Sequence, residues 1–308
     1  MKKIASLLLV ATCLFALTSC GSNAAASTVN EPATTSPKPE NCNTQWNGKS
    51  LKVLCIGNSF ACNATRVLYQ IAKAHGVEEI VLGVLHIPGC TVEKHWTYAK
   101  SGAATYQYYK NTTGTWNITD GFTMMQGLQD EDWDVITITQ GQGLYGIASS
   151  YDNCLDGLIG FVNENKTNPN SQIAFHMTWA LPSDSTSNRF NYYGKDQDVM
   201  FRSICDVAQN TILPKEGIDF ILPSGTAIQN ARTALGEIFC KDDGLHLNST
   251  GEYVAGYAWF VSLTGQPVDQ LKYLSDSVVA HMYSAHEPIL EAVNASLYNT
   301  FDVTDISK

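Results

Sequence analysis

From residue 51 onward the chain alternates short apolar runs with longer amphipathic stretches, the sequence sign of strands joined by helical crossovers. The runs at 51–56, 80–86, 134–139, 172–179 and 219–222 are each rich in Val, Ile or Leu. Their near-continuous apolarity predicts a five-stranded parallel sheet covered on both faces. The stretches 64–75, 151–164, 196–212, 250–263 and 278–297 supply the expected helices. Residues 98–121, with Tyr106-Gln107-Tyr108-Tyr109 and Thr115-Trp116-Asn117, break the alternation and predict a hairpin insertion. Its aromatic residues would either shape a substrate wall or cover a sheet edge. In an α/β sheet of this kind chemistry gathers at the carboxyl ends of the strands.

The start of the chain carries a different message. Lys2 and Lys3 precede an apolar run over 4–17, the pattern of a secretory signal. The run ends in Leu17-Thr18-Ser19-Cys20-Gly21, which resembles the bacterial lipobox. That resemblance implies cleavage before Cys20 and diacylation of its thiol. The expected organisation is a lipoprotein signal peptide over 1–19, a flexible Ala/Ser/Thr/Asn/Pro-rich tether over 20–49, and an α/β domain over 50–308. The expected location is the bacterial cell envelope, lipid-anchored on the periplasmic side or the cell surface. No later stretch offers the ~18 uninterrupted apolar residues of a membrane span.

The full sequence carries a formal charge of −10 with 29 acids against 19 bases, and removing the signal takes two lysines with it. Such a balance argues against nucleic acid as a partner. Beyond Cys20 the cysteines are Cys42, Cys55, Cys62, Cys90, Cys154, Cys205 and Cys240. They contain no CxxC pair, so neither a zinc site nor a thioredoxin-like motif is supported. Six N-x-[ST] sequons, Asn63 among them, read as chance in a bacterial lipoprotein.

Two pieces carry chemistry. The first strand runs into Gly57-Asn58-Ser59-Phe60 just ahead of a helix pattern, which places Ser59 at a strand-to-helix turn. A serine there is either a nucleophile near favourably oriented N–H groups or an ordinary helix cap. Far downstream, Lys241-Asp242-Asp243-Gly244-Leu245-His246-Leu247-Asn248 gives Asp243 and His246 the D-x-x-H spacing. A short loop of this kind can set a carboxylate against one imidazole nitrogen and leave the other to take a serine proton.

Together these blocks resemble the SGNH, or GDSL-like, hydrolase superfamily, in a secreted branch with a G-N-S-F nucleophile block and an uncharacterised domain name. Pro88-Gly89-Cys90 after the second strand and Gln140-Gly141-Gln142 after the third extend the resemblance, which covers residues 51–265. It implies a flavodoxin-like three-layer α/β/α fold and a Ser59-His246-Asp243 triad. It also implies oxyanion donors from the Ser59 N–H, the Gly89 N–H and a side-chain amide. The superfamily's usual asparagine in the third block is missing. Gln140 is the expected substitute by similarity to sialate acetylesterase relatives, with Gln142 the competing position. Asn58 stands where the superfamily commonly has Asp, a residue outside the triad.

Rival readings remain. Gly141-Gln142-Gly143-Leu144-Tyr145-Gly146 matches the G-x-G-x-x-G dinucleotide fingerprint, but it follows the third strand and lacks the acid at the end of the next. A metal at Asp242, Asp243 and His246 has no second histidine cluster in support, and His176 and Trp179 fit a buried strand better than a ligand site. A non-catalytic carbohydrate-binding lipoprotein on the same fold would be free to lose Ser59 or His246, and both are present. The expectation is a cofactor-independent, metal-independent esterase removing short acyl groups, above all acetyl, from a carbohydrate or related substrate.

Overall fold

The structure, a computed structural model, describes residues 41–43, 45–272 and 284–308. The expected signal peptide, Cys20, most of the tether and the first residues of the last expected helix lie outside the described residues. Strands β1 (Ser50–Gly57), β2 (Glu79–His86), β3 (Tyr106–Asn111), β4 (Trp116–Phe122), β5 (Val135–Thr139), β6 (Gln172–His176) and β7 (Phe220–Leu222) form one sheet. Its order is β4-β3-β2-β1-β5-β6-β7. Strands β2, β1, β5, β6 and β7 run parallel, and these are the five apolar runs of the sequence. The expectation of a five-stranded parallel sheet is corrected to a seven-stranded mixed one, because the 98–121 insertion pairs antiparallel on β2. Strand β3 buries only Tyr106, Tyr108 and Asn111, and β4 is nearly all exposed, so neither leaves a continuous apolar run to read.

The helices are α1 (Ser59–Thr65), α2 (Leu68–Ala74), α3 (Val92–Ser101), α4 (Met124–Gln129), α5 (Leu155–Asn165), α6 (Gln197–Val207), α7 (Ser224–Leu235), α8 (Ser249–Thr264) and α9 (His286–Tyr298). Helices α1, α2, α7, α8 and α9 pack on one another, and α3, α4 and α5 form a second group. The single expected helix over 64–75 is two helices, the first beginning at Ser59 itself. Helices α3, α4 and α7 were not legible in the sequence. Helix α3 is a short segment capped by Thr91 and ended by left-handed Gly102, and α7 buries Ser224, Thr226, Gln229, Asn230 and Arg232, residues that mimic a surface. Helix α8 is buried over residues 250–264, on all sides, as an interior helix must be apolar all round.

Residues ahead of β1 are also bonded to the folded body. Asn41 Oδ1 accepts from the Ile221 N–H of β7 at 2.7 Å, and Asn41 Nδ2 donates to Thr300 Oγ1 at 3.1 Å. The Asn43 N–H donates to Ser262 O at 2.7 Å. Residues 41–49 are mostly polar and carry no apolar run, and these hydrogen bonds hold the segment together with the burial of Cys42 and the packing of Trp46 against the core. No described helix is long and apolar enough to cross a membrane.

Candidate active site

The reversal of strand order falls between β1 and β5, the point where ligands lie in open α/β sheets. Three loops meet there: 57–60 after β1, 87–91 after β2 and 140–147 after β5. Asn58 ties them together. Its Oδ1 caps α1 by accepting from the Phe60 N–H at 3.0 Å, while Nδ2 donates to Cys90 O at 3.1 Å and Gln140 O at 2.9 Å. The side chain is buried, so those two carbonyls have no water to turn to.

Ser59, the next residue, faces the loop of the distant D-x-x-H block. His246 Nε2 lies 2.8 Å from Ser59 Oγ, and His246 Nδ1 lies 2.6 Å from Asp243 Oδ2. A serine, an imidazole and a carboxylate thus stand in one hydrogen-bonded line although 187 residues separate the first two. Asp243 Oδ1 accepts from the N–H groups of Leu245 and His246, which curls the loop and turns the imidazole back toward the carboxylate. Partial burial pushes the Asp243 carboxyl up. The bonds from the His246 ring, the two N–H groups and the His246 charge outweigh it and hold the group below the usual carboxylate range.

The loop is anchored on every side. Trp179 Nε1 donates to Leu245 O at 3.0 Å, Ser185 Oγ to Gly244 O at 2.6 Å, and the Lys241 N–H to His246 O at 2.8 Å. Asn63, one turn beyond Ser59 on α1, accepts from the Leu247 N–H at 3.3 Å and donates to Glu252 Oε1 at 2.7 Å. The helix that begins at the serine therefore also holds the residue after the histidine. Phe60 completes the frame: it stacks on Trp179 at 4.2 Å and on Tyr145 at 5.2 Å, and meets the His246 ring edge-on at 6.0 Å. Sequence reasoning missed Asn63 and Glu252. The four-residue spacing from Ser59, which puts Asn63 on the same helix face, was the available signal.

The carboxamides of the third block divide sharply. Gln140 is buried, and its Oε1 accepts from the Val92 and Gly141 N–H groups at 2.9 Å each. Its Nε2 donates to Ser150 Oγ at 3.0 Å, so this amide is spent on holding α3 and the loop after β5 rather than facing Ser59. Gln142 is exposed, with a left-handed backbone at φ 57°. Its Nε2 lies 2.5 Å from where a Cβ on Gly89 would stand, a close approach that only glycine permits. Among the described residues the Gln142 side chain and the Ser59 and Gly89 N–H groups have no hydrogen-bond partner.

The other polar candidates are absorbed by the core. His176 is fully buried between Thr139 Oγ1 at 3.4 Å and Ser224 Oγ at 3.1 Å, and burial pushes its ring down to about 3. No group of three or more His, Cys, Asp or Glu among the described residues is placed to hold a metal ion. The glycines of G-x-G-x-x-G are filled by protein. A Cβ at Gly141 would stand 2.2 Å from Cys90 O, one at Gly143 2.7 Å from Arg189 Cβ, and one at Gly146 2.7 Å from Ser203. A pyrophosphate has no room to approach that backbone.

A family model, described as a domain of unknown function (DUF4886), matches residues 52–287. The chain belongs to the DUF4886 family. A crystal structure of a DUF4886 family protein from Bacteroides uniformis ATCC 8492 is 32% identical with a TM-score of 0.79, covering 84% of this chain and 99% of that one. More distant likenesses include a candidate SGNH hydrolase from Slackia heliotrinireducens, at 12% identity and a TM-score of 0.45, covering 70% of this chain and 99% of the other. A candidate GDSL-like lipase from Parabacteroides merdae ATCC 43184 aligns at 14% identity and a TM-score of 0.44, covering 71% and 99% of the two chains. No curated protein matches this sequence.

The Asn58 arrangement generates a sharp expectation. Asn58→Asp keeps the helix cap but sets a buried carboxylate against two carbonyl oxygens. Each carbonyl left unpaired costs about 1–3 kcal/mol. The variant should lose a few kcal/mol in urea denaturation at neutral pH and recover part of that loss as the pH falls and the carboxyl takes up a proton. An unchanged midpoint would show that the bridge does not hold the loops.

Proposed function

We propose that this chain is a serine ester hydrolase that removes short acyl groups, above all acetyl, from a carbohydrate or related substrate. The observation that carries the reading is the line Ser59 Oγ, His246 Nε2, His246 Nδ1, Asp243 Oδ2, with spacings of 2.8 and 2.6 Å at its two ends. In this reading His246 takes the Ser59 proton as Oγ attacks the ester carbonyl, and then returns it to the leaving alcohol. Asp243 fixes the tautomer and stabilises the imidazolium. Water repeats the cycle to release the acid. The oxygen that gains charge would be met by the Ser59 and Gly89 N–H groups and by Gln142, whose amide is unspent, in place of Gln140. The preference for an acylated carbohydrate rests on the resemblance to SGNH hydrolases and on the expected export of the chain. The lipobox supports anchoring at the bacterial envelope through diacylated Cys20.

Ser59→Ala and His246→Ala should each lower ester turnover by several orders of magnitude, because such groups act as a unit. Ser59→Ala should also abolish labelling by a fluorophosphonate probe, mapped by peptide mass spectrometry. Asp243→Asn should cost nearly as much as the serine and histidine changes, and Asp242→Asn little. Labelling that persists without Ser59 would remove the nucleophile from this reading.

Gln142→Ala should lower kcat by about 10² to 10³ while leaving KM less affected, the signature of a lost oxyanion donor. Gln140→Ala should instead lower thermal stability, since it frees Val92 and Ser150. If steady-state kinetics show the reverse pattern, the donor assignment fails.

Cys20→Ala should shift the protein from the detergent phase to the aqueous phase in phase partitioning, since a lipid chain is the anchor this reading supplies. Retention in detergent would refute the lipobox.

A further inference from the structure

Arg189 sits in the 3₁₀ segment Asn188–Tyr193, beside Gly89 and Gly143 of the loops that follow β2 and β5. Its Nη2 lies 3.3 Å from where a Cβ on Gly89 would stand, beside the Gln142 amide. The mount is rigid. The Arg189 Cβ lies against Gly143, the Arg189 N–H donates to Ser187 Oγ, and the neighbouring Tyr193 hydroxyl donates to Gly143 O and accepts from the Gly146 N–H. The guanidinium also touches Tyr145, the ring stacked on Phe60. Burial pushes that phenol up to about 12, and the Arg189 charge acts in the opposite direction.

What the guanidinium lacks is a carboxylate. Among the described residues, Arg66 meets Glu252 and Arg232 meets Glu237, while no acid lies within ion-pair distance of half-buried Arg189 or of Arg202, which is exposed on α6. The group is half-buried, held over glycine backbone, and offers a planar fork of donors matched to a carboxylate.

We propose that Arg189 recognises a carboxylate on the substrate, so that the preferred ester is that of a sugar acid or another acid-bearing molecule rather than of a neutral sugar. The inference rests on the ester-hydrolase reading and adds the substrate's charge to it. Arg189 then fixes the orientation of the ester over Ser59 from the side of Gly89. It also offsets the repulsion that the protein's net negative charge imposes on an anionic ligand.

The test compares kcat/KM for an O-acetylated methyl glucuronide, the matching O-acetylated methyl glucoside and an O-hemisuccinyl methyl glucoside. One anionic ester should be favoured over the neutral one by about 10- to 100-fold, the range of a hydrogen bond to a charged group. Arg189→Gln should bring that ratio close to one, and Arg189→Lys should retain part of it. A ratio is read because general damage to the fold or to the triad lowers both rates together. Preference for the glucuronide puts the carboxylate on the alcohol side, and preference for the hemisuccinate puts it on the acyl side. Equal turnover of all three, or a preference that survives Arg189→Gln, overturns the proposal. If no ester is turned over, the hydrolase reading has failed on its own account. Nuclear magnetic resonance titration of the Ser59→Ala protein with methyl glucuronide and methyl glucoside then decides. Binding selective for the glucuronide and lost in Arg189→Gln supports the carboxylate site, and equal or absent binding overturns it.

Discussion

A single buried carboxamide holds the site together. Asn58 uses both faces of its amide, accepting from the first turn of α1 and donating to the loops that follow β2 and β5. A carboxylate in its place could make the first of these bonds and neither of the others, because it has no proton to give at neutral pH. Parallel strands end side by side but do not otherwise fix the loops beyond them. The amide turns three loose ends into one surface, on which Ser59, Gly89 and Gln142 keep their relative places.

The imidazole is brought to that surface from the far end of the chain. A loop of this length has many conformations, and four groups outside it narrow them: Trp179, Ser185, Asn63 and the start of α8. Helix α8 is sealed into the interior, so the loop hangs from an element with little freedom to shift. The distance between Ser59 and His246 is consequently set by core packing as much as by local hydrogen bonds. Buried helix and exposed loop are mechanically one part.

How much of this was legible follows from how local each signal is. The G-N-S-F and D-x-x-H blocks are short, and their residue types name their chemistry, so both ends of the hydrogen-bonded line could be read directly. The five parallel strands were visible because burial on both faces makes each an unbroken apolar run. The hairpin β3–β4 was legible as an insertion, but its pairing onto β2 was not, because an edge with one face in water leaves no apolar run, and α7 hid because many of its buried residues are polar. The fate of Gln140 could not be read without α3. Its oxygen is taken by the Val92 N–H at the start of that helix, and only the assembled fold shows that Gln142 is the amide left over. Arg189 escaped for a similar reason, since nothing near it in the chain marks it as facing Gly89.

The cysteines bear on how this protein would behave in an oxidising compartment. Cys55, Cys62, Cys90, Cys154, Cys205 and Cys240 are free thiols, and burial pushes the first three and Cys205 up to about 12. Nucleophilic attack on an oxidant or alkylating reagent requires the thiolate, which at neutral pH those four barely form. Burial thus keeps these four thiols in the unreactive protonated form. An alkylating reagent would react with them at the rate at which the interior opens, which makes these side chains a built-in clock for unfolding.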